Sequence, residues 1–312
     1  MLNSKKDSTF EEEYESLKSS KFKQQKFTGW RKVPSMLRIS IFFFSIGVLF
    51  VSMGVVLLLF SKKIIVQNIK YNNENAINIT INETMKKDIM IYYQIDGFYQ
   101  NHRRYVNSKS QAQLEGKNIS LEDMKKRHEC DPIISNKDLN INENKLNPDD
   151  IAIPCGLLAK SFILFNDTFN FTYTNDNTQL NVNTTSIARK WDRDRFKNID
   201  MNRQWLDMTD EHFMVWMRPA PFPNFTKLYG RINEDLEAGT QLTIYINHSK
   251  YYDKSEINIE SNIQRSLILT TSNIFGGKNK DLAVSYLTAG GLCFILGIII
   301  IVGYKSYEQK NK

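Results

Sequence analysis

Catalysis, metal binding and phosphate binding each require particular residue types at particular spacings, and this chain offers few of them. Its four histidines, His102, His128, His212 and His248, stand far apart, and none sits in an HExxH or other zinc-ligand spacing. There is no GxSxG elbow and no dinucleotide fingerprint. Residues 276–279 read GGKN, but the preceding glycine spacing and following Ser/Thr of a phosphate loop are missing. Asp192 and Asp194 form a D-x-D pair of the kind some metal-dependent sugar transferases use. Arg193 lies between them and Arg195 follows, so a salt-bridged surface is the better reading. The chain is therefore not expected to be an enzyme, and no cofactor or metal is expected.

Two other residue types are patterned. Eight Asn-x-Ser/Thr acceptors occur, at Asn78, Asn82, Asn118, Asn166, Asn170, Asn183, Asn224 and Asn247, all in the middle of the chain. The chain is Asn-rich, so some of these arise by chance. Cys130 and Cys155 are the only cysteines of that middle segment; a bridge between them would close a loop of about 25 residues and stabilise by roughly 3.5 kcal/mol on the chain-entropy model. Two free thiols are the alternative.

Long apolar runs bracket this segment. Residues 39–60 (ISIFFFSIGVLFVSMGVVLLLF) and 283–304 (AVSYLTAGGLCFILGIIIIVGY) carry no charge, and each is long enough to cross about 30 Å of hydrocarbon. The first begins too far into the chain, and is too long, for a signal-peptide core. Neither contains an Asp, Glu, Lys, Arg or His for an ion relay.

Of the net charge of +7, residues 1–38 supply nine Lys/Arg against five Asp/Glu and residues 305–312 three against one, leaving +1 for everything between. No basic cluster remains for a polynucleotide, and nucleic-acid binding is not expected. Lys21, Lys23, Lys26, Arg31, Lys32 and Arg38 precede the first run and Lys305, Lys310 and Lys312 follow the second. Both termini are therefore expected in the cytoplasm and residues 61–282 in the lumen or outside the cell. That side is oxidising and is where sequons are used, in agreement with the other two patterns.

Period-two alternation predicts half-buried strands in the middle segment. Ile77, Ile79 and Ile81 alternate with Asn78, Thr80 and Asn82; Phe169, Phe171 and Tyr173 with Asn170, Thr172 and Thr174; Leu242, Ile244 and Ile246 with Thr243, Tyr245 and Asn247. Ile257 and Ile259 continue the habit. Asn78, Asn82, Asn170 and Asn247 then lie on the polar face. Short strands with irregular connections predict an antiparallel β-sandwich. Residues 107–129 and 186–206 carry helical potential, and residues 136–147 read as a loop insertion. In the runs, Ser285, Ala289, Cys293 and Gly297 recur every four residues, and Ser40, Gly47, Gly54 and Ser61 every seven. Such small residues mark close helix contacts, either within the chain or with another membrane protein.

Ordered motifs along nearly the whole chain resemble the cell division control protein 50 family, the β-subunits of type IV P-type ATPases. They are FKQQ (Phe22–Gln25), GWRKVPS (Gly29–Ser35), YYQIDGFYQNHRRYVNS (Tyr92–Ser108), PCGLLAKS (Pro154–Ser161), FNDTF (Phe165–Phe169), EHFMVWMRPAPFPNFTKLYG (Glu211–Gly230) and TTSNIFGGKN (Thr270–Asn279). The resemblance implies a jelly-roll-like ectodomain between two transmembrane helices. It implies a heterodimer with a catalytic α-subunit that hydrolyses ATP and moves phospholipid, the β-subunit serving export from the endoplasmic reticulum and the stability of the cycle. Cys130 and Cys155 match the family's bridged pair, and Asn166 its glycosylated FNDT.

Three departures stand out. Residues 61–91 lack cysteines common in the family. Lys160 with Phe162 and Ile163 interrupts a stretch usually read as ANS followed by FNDT. Thr226 replaces a usual Arg and thereby creates the Asn224 sequon. The competing expectations are a free-standing two-pass receptor or adhesion protein and, more weakly, a lumenal glycan-processing enzyme. The resemblance implies an integral membrane protein that travels from the endoplasmic reticulum to the Golgi, endosome or plasma membrane.

Overall fold

The computed structural model describes residues 14–22, 24–26, 34–72, 74–140, 146–249 and 263–310. The chain forms two compact units, Leu57–Lys280 and the combination of Met1–Val56 with Asp281–Lys312. Its first long element is helix α1 (Met36–Lys62), followed by strands β1 (Val66–Lys70), β2 (Ala76–Thr80) and β3 (Ile89–Asp96). Short helices α2 (Arg103–Asn107), α3 (Gln111–Leu114), α4 (Leu121–Arg127), α5 (Asn136–Leu139) and α6 (Leu157–Phe165) come next. Then follow β4 (Thr168–Tyr173), β5 (Gln179–Leu180), β6 (Val182–Asn183), α7 (Lys190–Arg195), α8 (Glu211–Trp216), β7 (Phe225–Ile232), β8 (Gln241–Asn247), β9 (Gln264–Thr270) and α9 (Lys280–Lys310).

The strands make two antiparallel sheets, ordered β1-β9-β3-β7-β6 and β2-β8-β4-β5. Alternation decides which side chains face inward. In β2, β4 and β8, Ile79, Phe169, Phe171, Leu242, Ile244 and Ile246 are buried while Asn78, Asn170 and Asn247 are exposed. Ile89, Ile91, Tyr93 and Ile95 of β3 and Leu267 and Leu269 of β9 join the same core. The three strands expected around Ile77–Ile81, Phe169–Tyr173 and Leu242–Ile246 are present, while Ile257 and Ile259 lie outside the described residues. Most of the predicted loop insertion 136–147 is either outside them or in α5, which a Ser135/Asp138 capping box starts.

A buried ion pair ties the two sheets. Arg265 on β9 donates from Nη1 to the Asp167 carboxylate at 3.0 Å, one residue before β4, and both side chains are under one-tenth exposed. Tyr71 Oη donates to the same carboxylate at 3.1 Å, and Arg265 Nη2 donates to Leu164 O at 3.1 Å. The guanidinium also lies 5.1 Å from the Phe165 ring centroid. Every strong partner is supplied within the protein, which a buried pair requires if it is not to cost stability. Burial and the Asp167 charge together raise the Tyr71 phenol well above its ordinary pKa, so it stays a donor.

Cys130 and Cys155 are bonded, with Cα atoms 5.6 Å apart and both side chains buried. The bridge joins the segment after α4 to the start of α6. The Lys160, Phe162 and Ile163 departure is absorbed in α6: Phe162 turns inward onto Phe213 (centroids 5.5 Å apart), and Lys160 Nζ donates to Asp138 O at 3.0 Å. The residues that interrupt the motif thus continue a helix whose buried side feeds the core.

Helices α1 and α9 are both long and apolar enough to cross a membrane and are longer than the uncharged runs within them. They pack through small residues at seven-residue spacing. A Cβ on Gly290 would lie 2.7 Å from Val51 Cγ2 and 3.0 Å from Gly47 O, and one on Gly54 would lie 2.8 Å from Leu287 Cγ. Ser40 Oγ donates to Gly297 O at 2.9 Å. The four-residue stripe does not stay on one face. Each four-residue step turns about 40° around the helix, whereas a heptad drifts only about 20°. Gly297 therefore joins Ala283 and Gly290 in the contact with α1, Ser285 is exposed, and Ala289 and Cys293 are intermediate.

Two outcomes are expected. Arg265→Met strands a buried carboxylate and should lower stability by about 3–5 kcal/mol, read as a fall in melting temperature in detergent. The double variant Asp167→Leu/Arg265→Met should recover much of that loss. Gly290→Leu should force the helices apart and sharply reduce cross-linking between cysteines placed at Phe44 and Phe294, whereas Ser285→Leu should leave it unchanged; equal yields would refute the heptad contact.

Candidate functional site

A densely hydrogen-bonded surface lies at the end of the first sheet where β3 finishes and β7 begins. Gly97 leaves β3 with φ +89°, a conformation that suits glycine. Pro219, Pro221 and Pro223 have no N–H to donate, and the carbonyls of Pro221 and Pro223 serve as acceptors. The backbone N–H groups of Gly97 and Phe98 both donate to Pro223 O at 3.1 Å. Asn101 Nδ2 donates to Pro221 O at 2.9 Å, and Ala220 N donates to Gln100 Oε1 at 2.9 Å. Gly97 N also donates to Asn224 Oδ1 at 3.2 Å. Loops 97–102 and 218–224, some 120 residues apart in sequence, are thus one clamped unit.

An aromatic floor supports the clamp. Phe98 packs on Phe165 at 4.8 Å, Tyr105 at 5.8 Å and Trp216 at 6.2 Å between centroids. Trp216 Nε1 donates to Leu158 O and Ser161 Oγ. Buried Lys227 of β7 closes the C-terminal end of α8: its Nζ donates to Val215 O at 3.2 Å, to Trp216 O at 3.4 Å and to Arg218 O. Burial, helped by the Arg218 charge, pulls its ammonium pKa down to about 7. Arg218 itself pairs with Asp192.

Above this floor Tyr99 and Phe222 are 63% and 69% exposed. Two large aromatic side chains held outward on a hydrogen-bonded scaffold are suited to docking a protein surface, since little conformational entropy remains to be lost. Both lie inside motifs quoted from the sequence, where they received no role; an aromatic flanked by Pro221 and Pro223 in a loop was the available signal.

The other candidate residues are dispersed. Asn78, Asn82, Asn118, Asn170, Asn224 and Asn247 are exposed, while Asn166 and Asn183 are half-buried. Asn183 Oδ1 accepts from the N–H and hydroxyl of Thr185, its own sequon threonine. Asp192 is buried against Arg218 rather than paired with its arginine neighbours, and Asp194 is exposed, so the D-x-D residues share no site. Among the described residues no group of three or more His, Cys, Asp or Glu could hold a metal ion. The GGKN stretch forms a turn and not a phosphate loop, with Gly276 at φ +87°.

Comparison with known proteins places these features in a lineage. The family model described as LEM3 (ligand-effect modulator 3) family / CDC50 family matches residues 2–310. Putative ALA-interacting subunit 2 of Arabidopsis thaliana is 34% identical, covering 90% of this chain and 86% of its own. Cell cycle control protein 50A of Bos taurus is 28% identical over 93% and 89%. Phospholipid-transporting ATPase accessory subunit CRF1 of Saccharomyces cerevisiae is 31% identical over 78% of this chain and 64% of its own. Matched from one terminal helix through both sheets to the other, the chain belongs to the LEM3/CDC50 family.

Proposed function

We propose that the protein is the non-catalytic β-subunit of a phospholipid-translocating P-type ATPase, required for assembly of the pump, its export from the endoplasmic reticulum and a stable transport cycle. The observation that carries this reading is the family match along the whole chain, joined to relatives named as accessory or interacting subunits of such ATPases. The protein is an integral two-pass membrane protein with residues 39–60 and 283–304 as its spans. Lys/Arg asymmetry supports cytoplasmic tails at 1–38 and 305–312 and a lumenal or extracellular domain at 61–282. The strand order, in which β1, β2, β3 and β4 alternate between sheets and β7, β8 and β9 do so again, supports a jelly roll.

The catalytic subunit is met at two places in this reading. Tyr99 and Phe222 dock on it through the ectodomain. In the membrane, Ser285, Ala289 and Cys293 lie off the centre of the α1 contact and remain for it, whereas Gly297 serves the helix pair within this chain. The sequon asparagines other than Asn224, which lies in the docking clamp, are glycan acceptors in this reading, with Asn78, Asn82, Asn170 and Asn247 open on strand faces and turns.

Replacing both Tyr99 and Phe222 with Ala should weaken association with the co-expressed ATPase at least about tenfold, since central aromatic anchors cost more than 1 kcal/mol each when truncated. Synthesis and the Cys130–Cys155 bridge should be unaffected; undiminished co-purification would remove the clamp from the interface. Enzymatic deglycosylation should increase gel mobility by several glycan masses, and an unchanged band would overturn the lumenal placement of residues 61–282. A free-standing receptor would leave the endoplasmic reticulum when expressed alone, whereas a β-subunit is retained there.

A further inference from the structure

The segment between β9 and α9 is built around an exposed apolar tip. Gly276 N donates to Asn273 O at 2.8 Å and Asn273 N donates to Gly276 O at 3.1 Å, so Ile274 and Phe275 occupy the corner of a tight turn. Phe275 N donates to Asn273 Oδ1 at 2.9 Å, and Asn279 Nδ2 donates to Phe275 O at 3.1 Å. With Gly276 at φ +87°, a side chain there would be strained, which accounts for one glycine of the GG pair. Ile274 is 92% exposed. A single exposed isoleucine is ordinary on a protein surface, but here a five-hydrogen-bond turn fixes its exposure beside an exposed Phe275.

The fifth bond says where. Asn273 Nδ2 donates to Phe60 O at 3.0 Å, and the Phe275 and Phe60 rings meet edge to face at 5.1 Å. Phe60 is the last residue of the uncharged run 39–60, and the second run begins at residue 283, eight residues beyond Phe275. The turn is thus tied to the chain where one span ends and another is about to start. Lys62, Lys63, Lys278 and Lys280 are all exposed, Lys63 Nζ lies 6.0 Å from the Phe60 ring centroid, and neither 57–65 nor 271–280 contains an acidic residue. An apolar tip on segments that carry four exposed lysines and no acid matches a bilayer boundary, where hydrocarbon lies beneath a layer of phosphates and aromatic residues prefer the interface.

We propose that the turn at residues 273–276 is an interfacial anchor that seats Ile274 and Phe275 in the lipid leaflet on the ectodomain side, with the four lysines drawn to lipid phosphates. The inference rests on the two-pass membrane reading and adds a lipid-contact site to it. The anchor holds the root of the ectodomain at a fixed depth independently of the ATPase.

The test uses the full-length subunit in nanodiscs. Cys293→Ala removes the free thiol, and a single cysteine carrying an environment-sensitive fluorophore replaces Ile274, Tyr99 or Leu292. Because Ile274 is almost wholly exposed, its replacement does not threaten folding. Lipids bearing a nitroxide on the head group or on the upper acyl chain are the quenchers for Ile274 and Tyr99, and one with the nitroxide near the chain end is the quencher for Leu292, about nine residues into its span. The probe at Ile274 should show blue-shifted emission and lose most of it to both lipids; the probe at Tyr99, beyond the opposite end of β3, should be unaffected. Quenching at Leu292 without quenching at Ile274 overturns the anchor and leaves the spans standing. Absence of quenching at both overturns the membrane reading beneath it. If Ile274 becomes shielded only when the ATPase is reconstituted too, the turn docks on protein and the lipid proposal fails.

Discussion

The pairing of β1 with β9 is the constraint on which the rest of the ectodomain depends. Val66 lies opposite Thr270 and Lys70 opposite Ser266, so the first and last strands of the domain are neighbours. The chain therefore leaves this sheet at the end where it entered. Everything between must be built as an excursion that returns, and antiparallel strands crossing between two sheets satisfy that demand with a single shared core. Closing a loop of about 200 residues has an entropic cost that grows only logarithmically with length. The heptad contact of α1 with α9 closes the same loop, so whichever forms first raises the effective concentration for the other.

At the far end of the sheets different interactions hold the structure. There β9 begins at Gln264, β3 ends at Asp96 and β7 begins at Phe225. The Asp167–Arg265 pair joins the sheets near this end, and the clamp between loops 97–102 and 218–224 closes over the aromatic floor. The ion pair and the Ala220–Gln100 bond of the clamp are buried, where polar groups are expensive to leave unpaired. The effect of the clamp is positional: its hydrogen bonds fix the backbone of the loops that carry Tyr99 and Phe222.

How much of this was readable follows from which contacts are local. The strands around Ile79, Phe171 and Ile244 could be read because one face is solvated, so apolar and polar residues alternate. β3 escaped the same test because Tyr92 and Gln94 are half-covered, and Ile-Met-Ile-Tyr-Tyr then shows almost no alternation. α6 and α8 are too short for a helical period to emerge. The small-residue spacing in α9 was visible, but a four-residue repeat drifts around a helix about twice as far per step as a seven-residue one, and only the latter stays with its partner. The clamp was hidden for another reason: its bonds run between carbonyls and amides that any sequence would possess. The motifs marked that something was fixed there without saying what.

The placement of the sequons gives the surface a direction. Asn78, Asn170 and Asn247 stand on the outer side of the β2-β8-β4-β5 sheet, and the clamp stands at the end of the other sheet. Glycans on the former would reserve that face for solvent and leave the clamp as the protein-facing region. Asn224 is the exception, because it belongs to the clamp itself. A sugar attached to its Nδ2 would leave Oδ1 able to accept from Gly97 N, so the clamp can survive modification. A glycan there would stand beside Tyr99 and Phe222, so the proposed docking through them requires Asn224 to stay unmodified although Thr226 completes its sequon.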